Sequence, residues 1–448
     1  MPDQVAERFA WGKSLREKVP RKAHADWKPK RRDPVEVLEE DSKGRLKHLV
    51  PIRYGRMAAS PFTFLRGSPV LMANDLARTP RSGATVQICG DAHLQNFGVY
   101  ASPERSLLFD LNDFDETLPG PWEFDLKRLA ASFVVAGRVN GFGERSCKDA
   151  ALTAVRTYRE WMHLFSEMRT LDVWYHRVAA EDALTILGAT ASQKVSAELE
   201  RARKRDSLQA LSRLTVAVRG ARRIINDPPL LSRVDDPQVE RELRAAFARY
   251  RDSLQEDRRA LLDRFHIVDI AWKVVGVGSV GTRCWILLLE SGSVHGEESP
   301  LFLQVKEART SVHERNLPRS AWPNRGQRVV AGQRLLQAAS DIFLGWSNGP
   351  LGVHCFWRQL RDQKGSAVIG TMSPSDLTAY ASLCGAVLAR AHARSGDPAV
   401  VAGYVGESDR MDKAVASFAR DYADQVERDH EALRTAIKLG RVAAVQGV

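Results

Sequence analysis

Between two short apolar runs that read as strands, Thr85 to Cys89 and Ser106 to Leu111, the chain places Gly90-Asp91-Ala92-His93-Leu94-Gln95-Asn96-Phe97-Gly98. Seventeen residues after Asn96 comes Asp113-Phe114-Asp115, and Leu126 to Val139 then carries the 3.6 period of a buried helix. The order strand, loop, strand, loop, helix confines the fold, because it sets several polar groups on strand ends and backs them with an apolar helix. An Asp followed five positions later by an Asn lets one loop aim a carboxylate at an acceptor hydroxyl while the amide oxygen turns to a metal. A second Asp from the next strand completes the metal site. Phosphoryl transfer needs such oxygen ligands, since it asks little of a protein beyond positioning and charge neutralisation. Asp91 and His93 are therefore the candidate catalytic residues, and Asn96, Asp113 and Asp115 the candidate magnesium ligands. His93 either locks the loop by hydrogen bonding or touches substrate.

Far downstream stands Gly276-Val277-Gly278-Ser279-Val280-Gly281. A dinucleotide-binding fingerprint needs a helix directly after such glycines, whereas a kinase-type phosphate loop needs a strand, and Arg283 to Leu289 reads as a strand. Leu301 to Val305 is a third strand and ends at Lys306. Glycine amides approach phosphate oxygens without a Cβ in the way, and a lysine at that strand end offers a charge to the α and β phosphates. Gly276, Gly278, Ser279, Gly281 and Lys306 are the candidate ATP-binding residues. The following helix, Gly326 to Ser340, holds no acid to pair with Lys306, which leaves Gln327, Gln333 or a carboxylate from elsewhere, such as Glu307 or Glu314, to take that place, or no pairing at all.

Gly90 to Asn96 resembles the G-D-x-H-x-x-N catalytic loop of aminoglycoside and choline kinases, members of the protein-kinase-like superfamily. Asp113-Phe114-Asp115 resembles their metal-binding Asp, Asp125-Leu126 the pair opening the helix that buttresses the loop, and Leu301 to Lys306 the V-A-I-K strand. The resemblance implies an α+β, two-lobed protein-kinase-like fold whose lobes are circularly permuted, since the catalytic loop precedes the glycine loop. The expected parts are a basic N-terminal arm (1–50), a helical catalytic lobe (51–265), a small β-rich nucleotide-binding lobe (266–370) and C-terminal helices completing the large lobe (371–448). Over nearly its full length, notably Arg56 to Phe62, Cys89 to Gly98, Gln333 to Trp346 and Arg358 to Ser366, the chain also resembles an uncharacterised bacterial family, domain of unknown function 2252. The implied activity is ATP- and Mg-dependent phosphate transfer to an unknown small-molecule or protein acceptor, with nucleotidyl transfer open to the same site. Two other readings stand beside it: a pseudokinase-type nucleotide-binding regulatory protein, and a metal-dependent phosphohydrolase built from Asp91, His93, Asp110, Asp113 and Asp115.

Composition narrows the setting. Five scattered cysteines without a C-x-x-C pair disfavour a disulfide framework and a zinc ribbon, and no apolar run is long enough to span a bilayer, so a cytoplasmic protein is expected. The formal charge of +11 is concentrated in Lys13 to Arg32, with nine basic residues against two acids, and Arg201 to Arg223, with eight against one. Such runs are solvated helix faces or contacts for a polyanion. Residues 148–265 read as almost wholly helical, His392 as a surface or capping histidine, and Trp346 and Trp357 as core or interlobe packing.

Overall fold

The computed structural model describes residues 4–181, 183, 200, 207–218, 221–294, 297–360 and 364–447, and the fold is α+β. Helices α1 (Gln4–Lys18), α2 (Pro34–Ser42), α3 (Val50–Met57), α4 (Pro61–Gly67) and α5 (Pro69–Leu76) come first. Strands β1 (Thr85–Ile88), β2 (Phe97–Ala101), β3 (Leu107–Leu111) and β4 (Leu118–Pro121) lead into α6 (Trp122–Val139), α7 (Glu144–Glu167) and α8 (Thr170–Tyr175). After α9 (Ser207–Leu214) come β5 (Thr215–Val218), β6 (Ala221–Ile224), β7 (Leu231–Arg233), α10 (Pro237–Arg251) and α11 (Glu256–Leu262). Strands β8 (His266–Lys273), β9 (Cys284–Val294) and β10 (Glu297–Glu307) follow, then α12 (Arg325–Leu336), β11 (Gly345–Asn348), β12 (His354–Gln359) and β13 (Gly365–Ser366). The chain closes with α13 (Pro374–Ser395), α14 (Pro398–Val405) and α15 (Arg410–Lys438).

Six of these strands form one antiparallel sheet in the order β11-β12-β10-β9-β8-β7. Both of its faces are covered, which explains the unbroken Trp285-Ile286-Leu287-Leu288-Leu289 run. Leu287, Leu289, Leu303, Val305 and Trp357 pack on Leu243, Ala246 and Tyr250 of α10, whereas Ile286, Leu288 and Phe302 meet Leu211 and Leu214 of α9. Trp357 lies flat on Tyr250 with ring centroids 4.6 Å apart, as core packing requires. The expectation of an almost wholly helical 148–265 is corrected: β5, β6 and β7 interrupt it, and β7 is an edge of the six-stranded sheet. The core beneath that sheet draws on residues from Val239 onward, well before the change of texture at 266.

The helical body is built around α6, α7, α13 and α15, and its core is continuous with β1–β4. Ser68 separates α4 from α5, and a proline opens each, a position where its missing N–H costs nothing. The N-terminal arm docks on the body. A Cβ at Gly12 would lie 2.0 Å from the Val400 carbonyl oxygen and one at Gly403 would lie 2.1 Å from that of Phe9, so α1 and α14 cross in backbone contact. Several basic residues of the arm serve this docking: Arg16 donates to the Tyr404 carbonyl at 2.9 Å, Arg21 to that of Val405 at 2.7 Å, and Arg32 pairs with Asp75 and Asp429 at 2.8 and 2.6 Å. The second basic run lies partly outside the described residues, as does the 361–363 part of the stretch Arg358 to Ser366. All five cysteines are buried and free, and no helix among the described residues is long and apolar enough to cross a membrane.

Candidate active site

The loop after β1 takes its shape from buried acids and hydroxyls of the helices below. Asp125, on the first turn of α6, accepts from the backbone N–H of Cys89 at 2.7 Å and of Gly90 at 3.0 Å. His392 of α13 supports it, with Nε2 3.3 Å from Asp125 and Nδ1 2.9 Å from the Tyr158 hydroxyl. His392 is therefore buried inside the body, which corrects its reading as a surface residue. Gly90 has φ +83°, and a Cβ there would sit 2.3 Å from the Glu116 carbonyl oxygen, so the turn requires glycine on both counts. Farther along, Ser132 Oγ accepts from the Leu94 N–H at 2.9 Å, and the Tyr380 hydroxyl lies 3.0 Å from the carbonyls of Leu94 and Phe97.

Asp91 leaves this loop toward the cleft below the sheet. Arg128, one turn after Asp125 on the same face of α6, pairs with its carboxylate. Burial pushes the Asp91 carboxyl up to about 6, with Arg128 opposing the shift and Asp113 adding to it. Asn96 donates its Nδ2 to the Asp91 carbonyl at 2.7 Å, which fixes the amide and turns its oxygen the other way. His93 is buried, with Nε2 3.9 Å from Asp91 and its ring edge toward Phe62. Its Nδ1 has no hydrogen-bond partner among the described residues, and burial holds the ring well below its usual pKa and hence neutral. The ring packs behind the carboxylate.

Asp113 and Asp115 flank the buried Phe114, and the Asp115 N–H donates to Asp113 at 3.2 Å. Burial and the neighbouring Asp115 raise the Asp113 pKa. Burial also works against the Asp115 charge, but Lys306 outweighs it and holds that carboxyl below its ordinary value. Lys306 reaches Asp115 as an ion pair from the end of β10. The partner of Lys306 is thus a carboxylate from elsewhere in the chain, though none of the residues named for it: Gln333 donates to Gln337, Glu307 pairs with Arg283, and Glu314 caps Ser311. In α12, Arg328 donates to the carbonyls of Thr117, Asp115 and Arg309, so this helix grips the backbone beside Asp115 rather than the lysine.

The glycine loop crosses the opening. Ser279 Oγ donates to Asp115 at 3.2 Å, and Arg45 donates to the carbonyls of Gly278 and Val280 at 3.0 and 2.9 Å. Asp91, Asn96, Asp113, Asp115, Ser279 and Lys306 therefore converge, although the sequence separates them by up to 215 positions. The alternation of β10 and β12 sends Gln304, Lys306, Phe356 and Arg358 to one face, and Arg358 donates to Gln304 at 2.8 Å. Gln304, Arg358, Leu360, Lys273 and Gly276 line a cavity of about 630 Å³ beside the glycine loop. A larger one of about 920 Å³, between α3, α4 and α15, meets the loop only through Val277 and includes none of the candidate catalytic or metal-binding residues.

Sequence reading missed Arg128, Arg358 and Arg66. The i to i+3 step from Asp125 was a usable signal for Arg128, but Arg358 needed the strand register and Arg66 had no signal. Arg66 stands on α4, and its charge faces Asp91 and Asp113.

No curated protein and no solved structure matches the chain. A family model does: that of an uncharacterised protein conserved in bacteria, DUF2252, matches residues 45–436, from the arginine that braces the glycine loop to the last helix, and the chain belongs to that family.

Proposed function

We propose that the protein is an ATP- and Mg-dependent phosphotransferase of the protein-kinase-like kind, with its two lobes encoded in permuted order. The observation that carries this reading is the convergence of two sequence-distant halves. A loop carboxylate, Asp91, is held in place by an acid at the start of the next helix, and a strand-end lysine, Lys306, reaches the Asp113–Asp115 turn from the opposite side. The strand order supports it. In chain order, β8, the glycine loop, β9 and β10 ending at Lys306 form an antiparallel meander, followed by α12 and the strands β11 and β12, which is the strand, glycine loop, strand and lysine-bearing strand that the resemblance implies.

The donor set suits magnesium. Among the described residues no three His, Cys, Asp or Glu side chains form a metal cage, but Mg²⁺ is ordinarily held by one or two carboxylates with water and substrate phosphates completing its shell. Asp113, Asp115 and the free amide oxygen of Asn96 would hold it, and bound there it would neutralise phosphate charge. Asp91 would accept the acceptor hydroxyl's proton, a role suited by a carboxyl lifted by burial toward neutral pH. Lys306 would exchange Asp115 for the α and β phosphates, and Ser279 with the glycine amides would cover them. The cavity by Gln304 and Leu360 is placed for the base. The phosphohydrolase alternative is less well supported, because Asp110 is turned away into a buried pair with Arg390 and a bond from the Ala338 N–H. Nucleotidyl transfer uses the same groups, and the acceptor is an unidentified small molecule or protein.

Binding to the folded state alone raises stability by about 2.7 kcal/mol at a hundredfold excess over Kd. ATP with Mg²⁺ is expected to raise the melting temperature of the intact protein, and Lys306→Ala and Asp113→Ala to remove that rise. An intact protein that melts at the same temperature with and without MgATP refutes the proposal.

A further inference from the structure

The cations of the cleft differ in whether they are already engaged. Lys306 is paired with Asp115, Arg128 with Asp91 and the Leu65 carbonyl, and Arg358 with Gln304. Arg66 is different: no hydrogen bond or ion pair engages its guanidinium among the described residues, and its Nε is buried without a partner. Its one aromatic contact is loose, with the guanidinium carbon 5.9 Å from the centre of the Phe62 ring. Burial opposes its charge, which Asp91 and Asp113 support through space.

Its position is fixed from both sides. The Ser60–Thr63 capping box sets the start of α4, Arg128 holds the Leu65 carbonyl at 3.0 Å and Arg53 holds the Gly67 carbonyl at 2.8 Å. The Arg66 carbonyl oxygen is 3.2 Å from where a Cβ on Gly278 would lie, so α4 abuts the glycine loop. An unpaired, largely desolvated guanidinium, carried on a backbone held from both sides, thus stands beside the glycine loop and faces both the acceptor-side acid and the metal-side acid. An anion arriving between those groups would find there the donors that Arg66 has left unused.

We infer that Arg66 is a catalytic residue that donates to the phosphoryl group in flight, an inference that rests on the phosphotransferase reading above. In that step the acceptor oxygen bonds the γ-phosphorus and the bond to the β–γ bridging oxygen breaks. ADP leaves with that electron pair, and the hydroxyl proton passes to Asp91. Negative charge on the three equatorial oxygens lies between Asp91 and the metal ligands, and a guanidinium with no bond of its own to break meets it there.

The test is binding of MgADP with and without aluminium fluoride, which mimics the transferring group, read by calorimetry on the full chain. The intact protein is expected to bind MgADP about tenfold or more tightly once fluoroaluminate is present, Arg66→Ala to keep its MgADP affinity but lose that gain, and Arg66→Lys to regain part of it. Because Arg66 makes no ion pair to lose, Arg66→Ala is also expected to melt no lower than the intact protein, whereas a purely structural role would lower its melting temperature. A variant that gains as much from fluoroaluminate as the intact protein, or an intact protein that gains nothing, overturns the inference and leaves nucleotide binding standing. Absence of any MgADP binding by the intact protein overturns the phosphotransferase reading and this inference with it.

Discussion

The loop from Cys89 to Asn96 and the loop from Gly276 to Gly281 face each other across the cleft, and they are held in opposite ways. The first is bonded from below by Asp125 and Ser132 of α6, by Tyr380 of α13 and by His313, whose Nε2 is 2.8 Å from the Gly90 carbonyl. The second is braced by the Arg45 side chain, by the Leu46 N–H on the Gly281 carbonyl at 2.7 Å, by the bond from its own Ser279 to Asp115, and by the packing of Val277 in the main core and of Val280 against Leu49 and Ile52. One loop is set by a buried hydrogen-bond network, and the other is pinned by two valines, its glycines making few contacts. A carboxylate that must meet a reacting atom benefits from rigidity, because small misplacements cost large factors in rate. A loop that must admit and release a nucleotide benefits from few restraints.

Removing the network should therefore cost far more than removing the brace. Asp125→Ala strips the Cys89 and Gly90 amides and His392 of a shared buried acceptor and is expected to destabilise the protein by about 3–5 kcal/mol in denaturant titration. A loss below about 1 kcal/mol would mean that the loop is not held as described.

The same substitution made in each loop sharpens the contrast. Gly90→Ala combines a positive φ with a 2.3 Å approach to a backbone oxygen and is expected to cost about 2–4 kcal/mol. Gly276→Ala has ordinary dihedrals and nothing within 4 Å of the added methyl, so its stability is expected to stay within about 0.5 kcal/mol of the intact protein.

Acid should weaken the helical side through the docked arm. His24 is fully buried, with Nε2 2.6 Å from the Tyr404 hydroxyl, and burial lowers its pKa to about 3. The unfolded chain protonates near pH ~6.5, so this histidine contributes stability that is present above that value and is lost as pH falls toward 3. His24→Gln is expected to flatten the fall of unfolding free energy between pH 7 and pH 5, by up to about 1.4 kcal/mol per pH unit, in denaturant titrations at each pH. Arg45→Ala should loosen the glycine loop, raising amide exchange at residues 277–281 while leaving residues 89–96 unchanged.

What the sequence made legible follows the same division. The network side was readable because its parts lie close in the chain: β1, the loop, β3 and α6 fall within 55 residues, and Asp125 follows Asp113 by twelve. Lys306 was readable as a strand end, but its partner was not, because Asp115 lies 191 positions earlier and meets it only when the sheet closes on the body. Arg66 escaped notice for the same reason. The strands β5 to β7 were missed because they are only three or four residues long within a helical texture. His392 was misread because α13 is buried on nearly every side, so the alternation that marks a surface helix is missing there.

The crossing of α1 with α14 bears on the order in which the protein can be completed. A ribosome makes residues 4–18 long before residues 398–405, so the groove that receives the arm does not exist until that distant segment has followed it. Until then α1 has no backbone to nest against, and Arg16 and Arg21 have no helix-end carbonyls to bond. Val445, whose N–H binds the Pro51 carbonyl at 2.9 Å, joins later still. Contacts between such distant positions form slowly, so the nascent protein carries an undocked α1 through the synthesis of everything between and seats it only once α14 has formed.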